Sequence, residues 1–116
     1  LETAQLLSTA ISERGGEGFY KPTHRNHPCS ISVRETRGNY LWTLALFRCL
    51  ARESTNRYGR VHKCTEHLVA MGKGCGLMVA GGLTPFADCS GVEPEFSDCI
   101  YERYQECLMR KWSHNA

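Results

Sequence analysis

Apolar positions recur at helical spacing in several stretches of the chain, and none alternates with the period of two that marks a half-buried strand. Leu6, Leu7, Ala10 and Ile11 form a first stripe, which predicts a helix over residues 1–14 closed by Gly15-Gly16. The broadest pattern runs from Tyr40 to Tyr58. Trp42, Ala45, Leu46, Cys49 and Leu50 fall on one face there, and Leu41, Leu44 and Phe47 widen it. This predicts the central core helix, with Asn39 as N-cap, Gly59 as stop and a Glu53–Arg57 pair on the exposed side. A shorter helix is expected over 61–71 and a flexible glycine-rich connection over 72–82. A last helix is expected from about Pro94 to Trp112, burying Phe96, Ile100, Tyr104, Cys107 and Leu108. The fold expected is all-α: a single compact helical domain over residues 1–116 with long ordered loops. Trp42, Leu46, Leu50, Ile100 and Tyr104 should share its core.

Residues 15–38 read as one long loop, and loops of that length in compact domains usually carry function. At its centre stands Tyr20-Lys21-Pro22-Thr23-His24-Arg25-Asn26-His27-Pro28-Cys29-Ser30. Two prolines exclude a helix interior or central strand, and nearly every other side chain is cationic or hydrogen-bonding. Arg57-Tyr58-Gly59-Arg60-Val61-His62-Lys63 repeats the same chemistry. Net charge is only +2, yet it is unevenly spread. From Arg14 to Lys73 there are eleven Lys/Arg against four acids; from Gly74 onward, three against six. A basic middle fits a polyanionic partner, and a solvated mixed-charge surface is the plainer alternative.

Composition narrows the class. Hydrophobic residues are 41% and charged residues 22%, which suits an ordered globular chain, and no apolar run approaches the roughly 18 residues of a membrane span. No membrane partner is expected. The N-terminus shows no signal-peptide pattern, and the chain begins with Leu in mid-pattern, so a preceding N-terminal portion is expected. Seven cysteines without export signal read as free thiols in a cytoplasmic setting, with Cys49 and Cys107 as small core residues. His62, Cys64, His67 and Cys75 are zinc-ligand types, but their spacing matches no standard structural site. Lys73-Gly74-Cys75-Gly76 lacks the order of a phosphate loop. No metal and no cofactor is expected.

Several strings resemble a family of small phage and bacterial proteins described as pyrimidine-dimer DNA glycosylases. They are the early helix Leu1-Glu2-Thr3-Ala4-Gln5-Leu6-Leu7-Ser8-Thr9-Ala10, the segment Tyr20–Cys29, Val33-Arg34-Glu35, Asn39-Tyr40-Leu41-Trp42 and Arg57–Lys63. Leu83-Thr84-Pro85-Phe86, Tyr101-x-x-Tyr104 and Lys111-Trp112-Ser113 are similar too, so the resemblance covers most of the chain. It implies an all-helical protein acting on DNA, in host cytoplasm where a phage encodes it. In such enzymes an amine attacks C1′ to form a Schiff base, while a glutamate stabilises the sugar cation and moves protons. Glu2 is the only carboxylate in the matching early helix and is the candidate for that glutamate. The family's arginines beside the glutamate are replaced here by Leu1 and Gln5.

The candidate catalytic residues are therefore Glu2, His24 and His27. Lys21, Arg25, Asn26, Arg34, Arg37, Arg57, Arg60, His62 and Lys63 are the candidate nucleic-acid contacts, with duplex DNA as partner. Each has a plainer reading: Glu2 as a first-turn acid, the histidines as loop-carbonyl partners, Asn26 as an Asx turn. Tyr20 is either a base-stacking residue or a loop anchor, and Trp42 reads as packing. The function expected is a DNA-binding repair-type protein of the glycosylase/lyase kind. The alternatives are a catalytically silent nucleic-acid-binding phage accessory protein, and an interaction protein taking an anionic ligand on the His-rich loop.

Overall fold

A computed structural model describes residues 1–85 and 91–115, without the side chains of Pro94, His114 and Asn115. It contains α1 (Glu2–Glu13), α2 (Pro28–Glu35), α3 (Arg37–Tyr58), α4 (Leu68–Gly74) and α5 (Ile100–Asn115). Single 3-10 turns lie at Lys63–His67, Cys75–Leu77 and Pro94–Phe96. No strand occurs among the described residues, and the protein is all-α. The chain divides into two compact units, Leu1–Pro85 and Phe86–Ala116.

The core of the first unit joins four segments. Ala4, Leu7, Ala10 and Ile11 come from α1, Val33 from α2, and Tyr40, Leu44 and Phe47 from α3; Cys64, Met71 and Met78 complete it. The α1 stripe thus packs as its spacing predicts. The α3 stripe packs only in part: Leu44 and Phe47 are buried as expected, but its central residues are not. Trp42, Leu46 and Leu50 are 45%, 37% and 50% exposed, and Cys49 is exposed as well. The buried face is Asn39, Tyr40, Thr43, Leu44 and Phe47. The apolar stripe left out Tyr40 and Thr43, and each satisfies its hydroxyl internally. Tyr40 Oη donates to the Met71 carbonyl (2.6 Å) and Thr43 Oγ1 to the Asn39 carbonyl (2.9 Å). A hydroxyl with a partner is buried at little cost, so these residues compete for the core on equal terms. Burial accordingly holds the Tyr40 phenol well above its ordinary pKa.

The expected loop over 15–38 contains α2. Pro28 occupies its first turn, where a missing N–H costs nothing, and His27 caps it. With only Ser30 and Val33 buried, α2 has too thin an apolar stripe to register as periodic. Asn39 is not the cap of α3. Thr36 is, its Oγ1 accepting from Asn39 N (3.1 Å) and donating to the Gly82 carbonyl (2.7 Å). Asn39 is instead a buried clamp. Its Nδ2 donates to Ser32 O (2.8 Å) and Thr84 Oγ1 (2.7 Å), and its Oδ1 accepts from Thr84 N (3.0 Å). Gly59 does stop α3, at φ 71°, and Glu53 does pair with Arg57 (2.6 Å).

The glycine-rich stretch is not a free connection. It begins as the end of α4 and then ties down the start of α3: Arg37 N donates to Val79 O (2.7 Å) and Gly38 N to Gly81 O (2.9 Å). The approach is so close that a Cβ on Gly38 would sit 2.6 Å from the Gly82 carbonyl carbon. The free amides at the α3 N-terminus are thereby satisfied inside the unit.

In the second unit, Ser97 Oγ accepts from Cys99 N (3.0 Å) just ahead of α5. Arg110 forks onto both Glu93 oxygens (2.9 and 3.2 Å) and pairs with Glu106 (3.0 Å). That guanidinium holds the Glu93 carboxyl down at about 2. Ile100, Tyr104 and Cys107 are half-buried, whereas Phe96 and Leu108 stay exposed, against expectation. Phe86 and Cys89 lie outside the described residues.

Candidate nucleic-acid interface

The Tyr20–His27 segment is ordered by hydroxyls of α1. Ser8 and Thr9 are fully buried on that helix. Ser8 Oγ accepts from Phe19 N (3.0 Å) and Tyr20 N (2.9 Å) and donates to Tyr20 O (3.3 Å). Thr9 Oγ1 accepts from Thr23 N (3.2 Å) and donates to Thr23 O (3.4 Å). The two hydroxyls thus do for this irregular backbone what a neighbouring strand would do, meeting the demand that buried amides find partners. Beyond Thr23 the chain turns, with His27 N donating to His24 O (3.0 Å). His24 adopts φ 49°, a left-handed conformation that histidine tolerates better than bulky residues. Arg25 and Asn26 sit exposed at the tip of this turn. Arg25 Nε contacts Glu13 at 3.3 Å, and no hydrogen bond of the Asn26 side chain occurs among the described residues, so the Asx turn is not formed there.

His27 and His62 play the same local part. His27 Nδ1 accepts from Cys29 N (3.1 Å) at the start of α2, and His62 Nδ1 accepts from Cys64 N (3.2 Å) at the start of the 3-10 turn. Cys64 Sγ also lies 2.9 Å from His62 Nδ1. In both His-x-Cys motifs Nδ1 is the acceptor, which leaves Nε2 of each exposed ring to carry the proton and to donate outward. The sequence offered this signal, since His-x-Cys occurs twice, but histidine is seldom read as a cap.

The two basic segments meet through aromatic rings. The Phe19 ring stacks on His67 with centroids 4.4 Å apart and planes 12° apart. Tyr20 meets the same imidazole edge-on at 5.2 Å and Phe19 at 5.2 Å. Its phenol is raised in pKa, first by partial burial and then by the neighbouring Cys64 and Glu66. Tyr20 is therefore a loop anchor, packed beside the core. Sequence reading passed over Phe19 and weighed His67 only as a zinc-ligand type; their contact joins the start of the loop to the turn after Lys63.

The other predicted residues fall into three groups. Lys21, Arg60 and Lys63 are exposed and make no ion pair among the described residues. Arg57 is exposed but carries Glu53. Arg34 and Arg37 are half-buried and engaged: Arg37 donates to Cys75 O (3.2 Å) and Met78 O (3.4 Å), while Arg34 reaches Ser30 Oγ (3.4 Å) and its carbonyl accepts from Arg14 (2.7 Å). These two position the scaffold around the segment. Glu2 stands exposed in the first turn of α1. The loop docks on Ser8, Thr9 and Glu13, so Glu2 is about 10 Å along the axis from Thr9, and among the described residues no hydrogen bond or ion pair joins it to His24 or His27. Among the described residues no three His, Cys, Asp or Glu side chains gather as a metal site would require, and no helix is long and apolar enough to cross a membrane. Cys49, Cys64, Cys75, Cys99 and Cys107 are thiols.

Comparison with family models, with curated proteins and with solved structures gives no match.

Proposed function

We propose that this protein binds the backbone of duplex DNA and is of the pyrimidine-dimer glycosylase/lyase-like kind that its motifs resemble. The observation that carries the reading is the Phe19–His67 stack, which joins the chain just before Tyr20 and Lys21 to the turn that follows Lys63. Lys21, Arg60 and Lys63 then present unneutralised charge from two sequence-distant segments, and the outward Nε2 groups of His27 and His62 add neutral donors. Such groups neutralise and grip phosphates without reading sequence. In the cleaving form of the reading, Glu2 stabilises the sugar cation and His24 and His27 relay protons. The separation of Glu2 from both histidines favours a second form, a catalytically silent DNA-binding protein with the same surface.

Two measurements test this. Duplex affinity should fall steeply with salt, and Lys21→Gln/Arg60→Gln/Lys63→Gln should flatten the log–log slope by about three phosphate contacts, near 0.9 each. Parental affinity and slope in that triple variant would remove the surface from consideration. Borohydride trapping on abasic and dimer-containing duplex separates the forms: a covalent adduct supports cleavage, and binding without adduct supports the silent form.

A further inference from the structure

A groove of about 500 Å³ lies along the C-terminal half of α3; of its lining only Val61 falls within the segments assigned above to DNA. Its charged wall is Arg48 and Arg52, one helical turn apart, with Ala51 and Thr55 on the same face. The facing wall is Val61, Thr65 and Leu68, from the segment that follows the helix. Both arginines are exposed, and the acid nearest them in sequence is engaged elsewhere: Glu53 holds Arg57 at 2.6 Å. Among the described residues the side chains of Arg48 and Arg52 make no ion pair or hydrogen bond. Like charges one turn apart repel, and an anion between them removes that penalty.

The rest of the lining narrows the ligand. Thr55 Oγ1 donates to Ala51 O (3.0 Å) and Thr65 Oγ1 to His62 O (2.8 Å). With their protons engaged, these hydroxyls offer a ligand only lone pairs, so they select N–H or O–H donors. Ala51, Val61 and Leu68 supply an apolar wall suited to a planar ring. The volume lies within the range of small-molecule sites. We propose that this groove binds a nucleotide: phosphate on Arg48 and Arg52, sugar or base donors on Thr55 and Thr65, the base face against the apolar wall. The phosphate comes either from a free nucleotide or from the end of a nucleic-acid strand. The inference stands apart from duplex binding, because none of its cations belongs to that surface.

The test titrates the whole chain, as folded protein, with AMP, adenosine and inorganic phosphate, followed by amide and arginine Nε NMR. AMP should shift Ala51, Thr55 and Thr65 amides together with Arg48 and Arg52 Nε, and should bind at least about tenfold more tightly than adenosine or phosphate. Arg48→Gln/Arg52→Gln should weaken AMP by about tenfold or more, with its circular dichroism and melting unchanged and its duplex binding within about twofold of parent. Arg48→Lys/Arg52→Lys should recover part of the loss. A short single-stranded oligonucleotide with and without a 5′-phosphate assigns the source: tighter binding of the phosphorylated strand than of AMP points to a strand end, the reverse to a free nucleotide. Shifts centred elsewhere, equal binding of adenosine and AMP, or parental AMP affinity in the glutamine variant each overturn the proposal.

Discussion

Replacing Ser8 by alanine isolates what orders the basic loop. The side chain is fully buried, and its oxygen is the acceptor for two backbone amides, Phe19 N at 3.0 Å and Tyr20 N at 2.9 Å. Alanine fits the helix better and removes almost no volume, so helix propensity and cavity terms are small. What remains is two donors without acceptors. An unsatisfied buried group costs about 1–3 kcal/mol, and half-burial of Phe19 and Tyr20 admits some water. The expected loss is about 2–4 kcal/mol, a large share of the roughly 5–15 kcal/mol that a domain commands. Urea unfolding followed by circular dichroism measures it, provided the slope stays at the parent's value. Amide exchange at Phe19 and Tyr20 should quicken by more than the global loss explains, because the segment opens locally first. A loss under about 0.5 kcal/mol, with both amides as protected as in the parent, refutes the account.

Three further outcomes follow from the geometry. His27 and His62 should both show the Nε2–H tautomer in long-range ¹H–¹⁵N spectra near neutral pH, since Nδ1 accepts from Cys29 and Cys64; an Nδ1–H signal at either would contradict the caps. The Glu93 carboxyl, lowered from 4.5 to about 2 by Arg110, contributes stability that is complete above the unfolded value and lost as pH falls through about 2. Carbon-13 titration should find that low midpoint at low ionic strength and a rise in about 1 M salt; a midpoint near 4.5 throughout shows that the fork onto Arg110 is absent in solution. Gly38→Ala and Gly72→Ala should act in opposite directions. The first drives a Cβ to 2.6 Å from the Gly82 carbonyl carbon and should cost about 1–3 kcal/mol, while the second meets nothing within 4 Å in α4 and should gain roughly 0.5–1 kcal/mol, both read from chemical unfolding.

Which parts of the molecule the sequence discloses depends on whether side chains act by area or by hydrogen bond. α1 and the Glu53–Arg57 pair are legible because apolar spacing and charge spacing alone decide them. The buried face of α3 is legible only at Leu44 and Phe47, because Tyr40 and Thr43 outcompete Trp42 and Leu46 only once Met71 O and Asn39 O are in place to receive their hydroxyls. α2 is hidden for a related reason: its start is set by His27 and Pro28, not by a stripe. At the site, the charge content of both segments is visible in the sequence, whereas their junction is not. Phe19 and His67 are 48 positions apart, and nothing in periodicity pairs them.

The loop's mode of attachment bears on how the protein can change. Ser8 and Thr9 hold Phe19, Tyr20 and Thr23 by main-chain atoms, which every amino acid but proline supplies in full. The side chains of Lys21 and Asn26 take no part in that attachment, whereas His24 is constrained by its left-handed φ of 49°. The identities of Lys21 and Asn26 are consequently separable from folding: substitutions at these two positions can accumulate, altering the groups the loop exposes, while α1 goes on presenting the same backbone. Variation of those exposed side chains is inexpensive here, and variation at two small hydroxyl residues on a buried helix face is not.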